Sequence, residues 1–260
     1  MPVHPWAAER DFPTRFAEPL ASGRFRWSDE EGVWARPCMS FRSVILTSET
    51  GPVGAHFKLP VAVQTTGATR TVSISAAHNG PLMSRFLGNL WATDKPEVRS
   101  RLKALSLMLE VASFHLRDNG KDQARFLAGI LRKGEAAVGD GWLLPVAALI
   151  EPRDNPLFVR AAEHYSLSPL ELWRLYCQAL LPPQVFLCGE LGIALETHPQ
   201  NVVVEFVGEA GKAPRVSFHY RDLGGIRMHP GRLRQGLAEL GLERKLDVPE
   251  FWPGSATSTD

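Results

Sequence analysis

Near the end of the chain, Glu196-Thr197-His198-Pro199-Gln200-Asn201 puts a carboxylate, an imidazole and an amide into one short loop. The apolar Val202-Val203-Val204-Glu205-Phe206 follows, then a turn-like stretch over 208–214 and a second extended stretch over 215–220. That stretch delivers Arg221-Asp222-Leu223-Gly224-Gly225. A helix end, a loop, a hairpin and an Asp-x-Gly turn in this order bring Glu196, His198, Asn201 and Asp222 close together. Hard carboxylate and amide oxygens suit magnesium, which keeps waters and bridges phosphate oxygens. Gly224 and Gly225 allow backbone conformations closed to other residues and let a ligand approach. His198 can donate to a phosphate or to a reacting carboxylate. A plainer alternative stands for each residue alone: Glu196 caps a helix end, Asn201 occupies a turn, Asp222 pairs with Arg221. Four polar groups arriving at two hairpin ends count against it.

The complementary charge lies earlier. Ser40-Phe41-Arg42-Ser43 puts Ser40 and Arg42 on one face of an expected strand and Phe41 on the other, by the two-residue period. Lys58 interrupts an apolar strand, and Arg70 follows the small-residue turn Thr65-Thr66-Gly67-Ala68-Thr69. Arginine offers a planar fork to phosphate or carboxylate and lysine a compact charge. Singly, each reads as a solvated surface charge; their value lies in company.

The elements that must position these groups divide the chain. Extended segments over 33–35, 43–47, 54–59 and 70–75 alternate with turn-rich pieces such as Glu49-Thr50-Gly51-Pro52, the pattern of an antiparallel meander. Apolar runs over 105–114, 125–131 and 142–150, bounded by Asp118-Asn119-Gly120 and Gly139-Asp140-Gly141, are expected as strands. A buried helix gives the same signal over such lengths. Ser168-Pro169-Leu170-Glu171 predicts a helix start with a capping box, and Leu172, Leu175, Tyr176 and Ala179 share one face of that helix. Pro182-Pro183 is expected to end it, with a second helix over 184–196.

Bulk properties exclude several classes. Lys plus Arg total 29 against 28 Asp plus Glu, so a net charge of +1 offers no global field for nucleic acid or anionic lipid. The 44% hydrophobic content supports a sizeable core in 260 residues. Cys38, Cys177 and Cys188 form no close pair, which argues against a disulfide framework or a thiolate zinc site and fits a reducing cytoplasm. No apolar run reaches the roughly 18 residues of a membrane span.

With these residues in view, the sequence resembles the siderophore synthetases that act independently of peptide synthetases, the group that includes aerobactin and achromobactin synthetases. The matching pieces are His4-Pro5-Trp6, Ser40-x-Arg42-Ser43, the His56-Phe57-Lys58 strand and Thr66-x-x-x-Arg70. Gly192-Ile193-Ala194-Leu195-Glu196-Thr197-His198-Pro199-Gln200-Asn201 and Arg221-Asp222-Leu223-Gly224-Gly225 complete the series. The resemblance implies an α+β, cupped-hand fold, distantly kinase-like. An antiparallel fingers sheet over 1–150 and a helical palm over 151–260, with a catalytic hairpin over 196–225, would hold ATP between them. It implies that Ser40, Arg42, Ser43, Lys58, Thr66, Arg70, His198 and Asn201 face ATP. Glu196, Asn201 and Asp222 would hold magnesium, and Arg70 and His198 would also face the carboxylate being activated, often one of citrate. The implied setting is cytoplasmic, with small-molecule carboxylate and amine or alcohol substrates and a homodimer as an allowed assembly. Family members are considerably longer, so the chain is expected to lack an N-terminal thumb and part of the C-terminal region. Ser43 stands where the family has threonine, and Ala7 where it has glutamine.

In the implied reaction a carboxylate attacks the α-phosphorus of ATP, pyrophosphate leaves, and an amine or hydroxyl captures the acyl-adenylate. Positioning and charge neutralisation suffice without a protein nucleophile. A kinase-like phosphotransferase is the rival enzyme, since a strand lysine, a His-x-x-Asn loop and an Asp-x-Gly turn also outline a kinase. Against it, no Gly-rich loop precedes Lys58. A nucleotide-binding module without catalysis is the non-enzyme alternative.

Overall fold

Three short helices come first: α1 (Pro5–Arg10), α2 (Phe12–Arg15) and α3 (Ala17–Ala21). Proline at the start of α1 suits the first turn, and His4 caps it, its Nδ1 accepting the Trp6 N–H at 3.2 Å. Strands β1 (Ala35–Pro37), β2 (Ser43–Leu46) and β3 (His56–Lys58) follow, then the small pair β4 (Gln64–Thr65) and β5 (Ala68–Thr69). Next come helices α4 (Ile74–Trp91) and α5 (Pro96–Leu102), strands β6 (Leu105–Leu107) and β7 (Glu110–His115), helix α6 (Lys121–Ala124), and strands β8 (Ala128–Arg132) and β9 (Trp142–Pro145). The remainder holds helices α7 (Leu157–His164) and α8 (Pro169–Val185), strands β10 (Ile193–Ala194), β11 (Val202–Val207), β12 (Arg215–Tyr220) and β13 (Arg227–Met228), and helix α9 (Pro230–Glu239). This computed structural model describes residues 1–30, 32–47, 54–65, 68–117, 121–134, 141–246 and 248–250. The expected turns at 49–52, 118–120 and 139–140, the candidate Thr66 and the polar tail lie outside the described residues. No described helix is long and apolar enough to cross a membrane.

The elements form two compact units, one of Met1–Pro81 with Glu110–Gly134, the other of Leu82–Leu109 with Glu135–Asp260. The first unit is built on an antiparallel sheet in the order β1-β2-β3-β8-β7, so the first three segments of the expected meander pair in sequence and β8 takes the place of the fourth. Its register sets Ser43 opposite Lys58 and Lys58 opposite Ile130, which puts all three on one pleat face. On the same face Arg132 and Glu110 form a wholly buried ion pair at 3.0 Å.

Several expectations in this unit are corrected. Residues 40–42 are not strand: Cys38 N–H donates to the Ser43 carbonyl at 2.7 Å and Phe41 N–H to Cys38 at 2.9 Å, closing a loop between β1 and β2. Phe41 takes a positive φ of 33° there, a conformation no strand contains. The segment 70–75 is not a strand either, because the chain enters α4 at Ile74. Ser73 accepts the Ala76 N–H at 3.1 Å on its side-chain oxygen and so caps the helix, outweighing the β-branched Thr71, Val72 and Ile74. Pro81 sits inside α4 and has no N–H to offer the Ala77 carbonyl four residues back. Ser113 of β7 donates its hydroxyl to that carbonyl instead.

The second unit has a four-stranded sheet in the order β6-β12-β11-β9, antiparallel except for the parallel pair β6 and β12. The apolar run 105–114 is thus two strands that serve two different sheets. The run 142–150 is strand only to Pro145, after which Val146–Ala148 make one tight helical turn. One face of the sheet, with Val202, Val204, Phe206, Val216, Phe218 and Tyr220, buries against α8 residues Leu172 and Tyr176. The capping box of α8 is formed: Ser168 Oγ accepts the Glu171 N–H at 3.3 Å, and Glu171 Oε2 accepts the Ser168 N–H at 2.7 Å.

Pro182 and Pro183 do not end α8. The helix passes through them and widens into a π turn over Phe186–Glu190, where Phe186 N–H reaches the Pro182 and Pro183 carbonyls. The expected second helix is therefore a continuation. It stops at Gly192, whose φ of 62° suits glycine, and β10 replaces the expected helix end at 193–194. Leu170, Trp173, Leu181 and Val185 are exposed along one face of α8.

Candidate functional site

The loop that carries Glu196, His198 and Asn201 is wound by its own backbone. Thr197 N–H donates to Leu195 at 2.9 Å, His198 N–H to Glu196 at 2.8 Å and Asn201 N–H to His198 at 2.7 Å. His198 Nδ1 accepts the Gln200 N–H at 3.2 Å, which leaves Nε2–H as the donor of the neutral ring. His198 and Glu196 are exposed, and Asn201 is half-buried.

A hydrogen-bond chain ties this loop to α8. Gln184 Nε2 donates to Tyr220 Oη at 2.7 Å, Tyr220 Oη–H points to Thr197 Oγ1 at 3.5 Å, and Thr197 Oγ1 donates to the Leu195 carbonyl at 3.3 Å. Burial pushes the Tyr220 phenol up from its ordinary value and the Thr197 contact pulls the other way, so the hydroxyl stays protonated at neutral pH. The sequence reading missed Gln184, Thr197 and Tyr220. Their signal was the period-two placement of Tyr220 beside Arg221-Asp222, which packing on α8 made useful.

At the far end of the hairpin Arg221 N–H donates to the Asn201 carbonyl at 3.0 Å, and Arg221 Nε donates to the Gln200 carbonyl at 2.9 Å. The start of β11 and the end of β12 are thus locked together, with Asn201 on one strand and Asp222 just past the other. Asp222 adopts the left-handed conformation, φ 65° and ψ 53°, and opens the tight turn Leu223–Gly225. Asp and Asn are the side-chain-bearing residues that accept this conformation most readily. Gly225 then lies against Glu196: a Cβ on it would meet Glu196 Oε2 at 2.6 Å. Glu196 and the Asp222 turn are therefore neighbours, which the loop-hairpin-turn order led us to expect.

Among the described residues no three His, Cys, Asp or Glu side chains converge on a metal position. The Glu196 and Asp222 carboxylates and the Asn201 amide are hard oxygen donors, the chemistry that suits magnesium.

The cationic candidates sit in the first unit. Ser43 and Lys58 face each other across β2 and β3, both largely buried. Arg42 Nη1 donates to the Thr71 carbonyl at 2.6 Å, next to Arg70. Arg70 is fixed through its main chain, its N–H to Val63 at 2.9 Å and its carbonyl from Val61 N–H at 3.0 Å, at the foot of the β4–β5 hairpin. Ser40 lies in the loop between β1 and β2, where its carbonyl takes the Arg42 N–H. Arg42 and Arg70 are thus brought together by Thr71, and Ser43 and Lys58 by strand register.

A protein-family model described as the IucA / IucC family matches residues 1–151, more than half of the chain. The chain belongs to the IucA / IucC family. A second model, described as ferric iron reductase FhuF-like transporter, matches residues 170–250. Staphyloferrin A synthase of Staphylococcus aureus (strain NCTC 8325 / PS 47) is 28% identical over 246 residues, 92% of this IucA / IucC chain and 39% of that protein. D-ornithine--citrate ligase of the same strain is 27% identical over 218 residues, covering 76% of this chain and 32% of that one. The solved structure of ATP-bound aerobactin synthetase IucA from a hypervirulent pathotype of Klebsiella pneumoniae superposes with a TM-score of 0.69 at 22% identity, over 94% of this chain and 44% of that one. This likeness shows a shared mixed helix and sheet fold. The chain spans 39% and 32% of the lengths of the two curated relatives.

Proposed function

We propose that this chain carries the ATP- and magnesium-binding groups of a siderophore synthetase, an ATP-dependent ligase that joins a small carboxylic acid such as citrate to an amine or alcohol. The observation that carries the reading is the packing of Glu196 against Gly225 in the turn opened by Asp222. It sets hard oxygen donors beside the hairpin end formed by Asn201 and Arg221. The names of the relatives support the substrate class: one is a staphyloferrin A synthase, one a citrate ligase, and a structural neighbour is an ATP-bound synthetase. A fingers-like region over 1–150, a palm-like region over 151–260 and a kinase-like comparison of the 196–225 hairpin belong to the same reading, as does a cytoplasmic setting.

Glu196, Asp222 and the Asn201 amide would hold magnesium, which when bound would supply positive charge to neutralise the phosphates. Ser40, Arg42, Ser43, Lys58, Thr66, Arg70, His198 and Asn201 are the groups for ATP. In the reaction a carboxylate oxygen attacks the α-phosphorus as the bond to pyrophosphate breaks. The amine nitrogen or hydroxyl oxygen then attacks the acyl carbon, AMP leaves, and the nucleophile gives up its proton. The Arg70 guanidinium and the Nε2–H of His198 are the donors for the carboxylate and α-phosphate oxygens, where negative charge gathers.

Incubation of the folded chain with ATP, magnesium, citrate and an amine separates the readings. AMP with diphosphate is expected. ADP would point to a phosphotransferase, and ATP binding with neither product to a binding module. A chain that binds no ATP would sink the proposal.

A further inference from the structure

The β11–β12 hairpin has two unlike faces. One is apolar core. On the other, the pairs Val203 with His219 and Glu205 with Ser217 set a carboxylate, a hydroxyl and an imidazole side by side. All three polar groups are nearly inaccessible, Glu205 and Ser217 at 5% exposure and His219 at 7%. Ser217 Oγ donates to Glu205 Oε2 at 2.8 Å, and His219 Nε2 lies 3.3 Å from the same oxygen. On its other flank Glu205 is opposite the apolar Leu143 of β9, and both of its hydrogen-bond partners among the described residues are on β12. A buried carboxylate is costly unless well hydrogen-bonded, and a valine would satisfy a mid-strand position without that cost.

The same face leads to the candidate site. Two residues beyond Val203 is Asn201, and two beyond His219 is Arg221, which is 7% exposed and bonds the Asn201 and Gln200 carbonyls. Apolar contacts such as that of Val203 are non-directional and tolerate small shifts of one strand along the other. Hydrogen bonds from two β12 side chains to one β11 carboxylate oxygen do not.

We infer that Glu205 is a positioning residue for Asn201 and Asp222: through Ser217 and His219 it fixes β11 against β12 at the end that presents these two oxygen donors. The inference rests on the reading of that end as a magnesium–nucleotide site. Glu205 touches no ligand itself; it acts through the geometry of the hairpin mouth.

Two measurements on the full chain test it. Glu205→Gln keeps the size and an acceptor for Ser217 but removes the charge facing His219, and Glu205→Leu removes both. Hydrogen exchange at the Arg221 amide, which donates to Asn201, is expected to quicken about tenfold in Glu205→Gln and more in Glu205→Leu, with core amides such as Val204 unchanged. Calorimetry with ATP is expected to lose, on the order of tenfold, the gain in affinity that magnesium brings, while magnesium-free ATP binds as before and Glu205→Asp recovers part of the loss. A general loss of structure would instead quicken exchange throughout and weaken both forms of ATP binding, which overturns the inference. Arg221 exchange unchanged in both variants also overturns it, whether or not ATP binds. Failure of the wild-type chain to bind ATP is a separate result and removes the nucleotide reading.

Discussion

His4 and Phe41 are joined through one imidazole: Nε2–H donates to the Phe41 carbonyl at 3.2 Å while Nδ1 accepts the Trp6 amide at 3.2 Å. The ring thus links the cap of α1 to the loop that holds Ser40 and Arg42, and it does so only when neutral. Burial holds the His4 pKa below its ordinary 6.5, opposed by the bond to the Phe41 carbonyl. A folded-state pKa below the unfolded one means that the stabilisation is complete above 6.5 and is lost as pH falls through the lower folded value. Urea midpoints for wild type and His4→Ala should therefore differ most at neutral pH and converge as pH falls through the lowered folded value. A constant gap would rule out the neutral-ring link.

Gly225→Ala puts a Cβ at 2.6 Å from Glu196 Oε2. The atom displaced is the far end of a flexible, exposed side chain, so the melting temperature should hardly move. Magnesium-dependent ATP affinity should fall on the order of tenfold, about 1.4 kcal/mol. In a Glu196→Gln background the same change should cost little more, because in the proposed site Gly225→Ala acts only by displacing the Glu196 carboxylate. Additive losses by calorimetry would separate Gly225 from Glu196.

Ser113→Ala should leave the Ala77 carbonyl, buried in α4, without the hydroxyl that replaces the missing Pro81 N–H. The cost is about 1–2 kcal/mol in denaturant unfolding. Pro81→Ala supplies an amide to the same carbonyl, so in that background Ser113→Ala should cost clearly less. Equal costs in the two backgrounds would mean that the hydroxyl does not stand in for the amide.

Ser168→Ala breaks the capping box of α8 and should lower the melting temperature by about 2–4 °C. The Ser168 side chain and then its backbone N–H hold Glu171 below its ordinary 4.5, so this contribution is present above 4.5 and lost as pH falls through the folded value. Wild type and Ser168→Ala should approach one another in acid. A difference that persists unchanged below the folded pKa would assign the effect to the hydroxyl alone.

Arg70→Lys keeps the charge and, with the main chain held by Val61 and Val63, keeps the fold. Loss of the planar fork should slow acyl-adenylate formation by on the order of 2–4 kcal/mol and leave ATP affinity nearly intact. Pyrophosphate release at the wild-type rate would return Arg70 to a structural role.

The capping box at Ser168 and the order of loop, hairpin and turn over 196–225 were legible because their determinants lie within a few residues of one another. What the sequence concealed depends on distant partners. Pro81 reads as a helix breaker until Ser113 is beside it, and 105–114 reads as one strand until its halves are seen in different sheets. Pro182-Pro183 reads as a stop, yet the Phe186 N–H takes up both proline carbonyls and the helix runs on into the π turn. Thr71-Val72-Ser73-Ile74 carries strand propensity, yet one hydroxyl at Ser73 starts a helix. At the site, backbone proximity of Glu196, Asn201 and Asp222 was readable; the tie from Gln184 through Tyr220 to Thr197 was not, since it requires α8 to be docked.

The left-handed backbone at Asp222 has a consequence for how variants are screened. Glycine takes that conformation without strain and asparagine takes it about as easily as aspartate, so the backbone itself does not object to losing the carboxylate. A library sorted on yield, solubility or heat resistance therefore meets no backbone penalty at Asp222→Gly or Asp222→Asn. Such a sort reads the carboxylate only through the contacts its side chain makes within the fold, and the proposed ligand not at all.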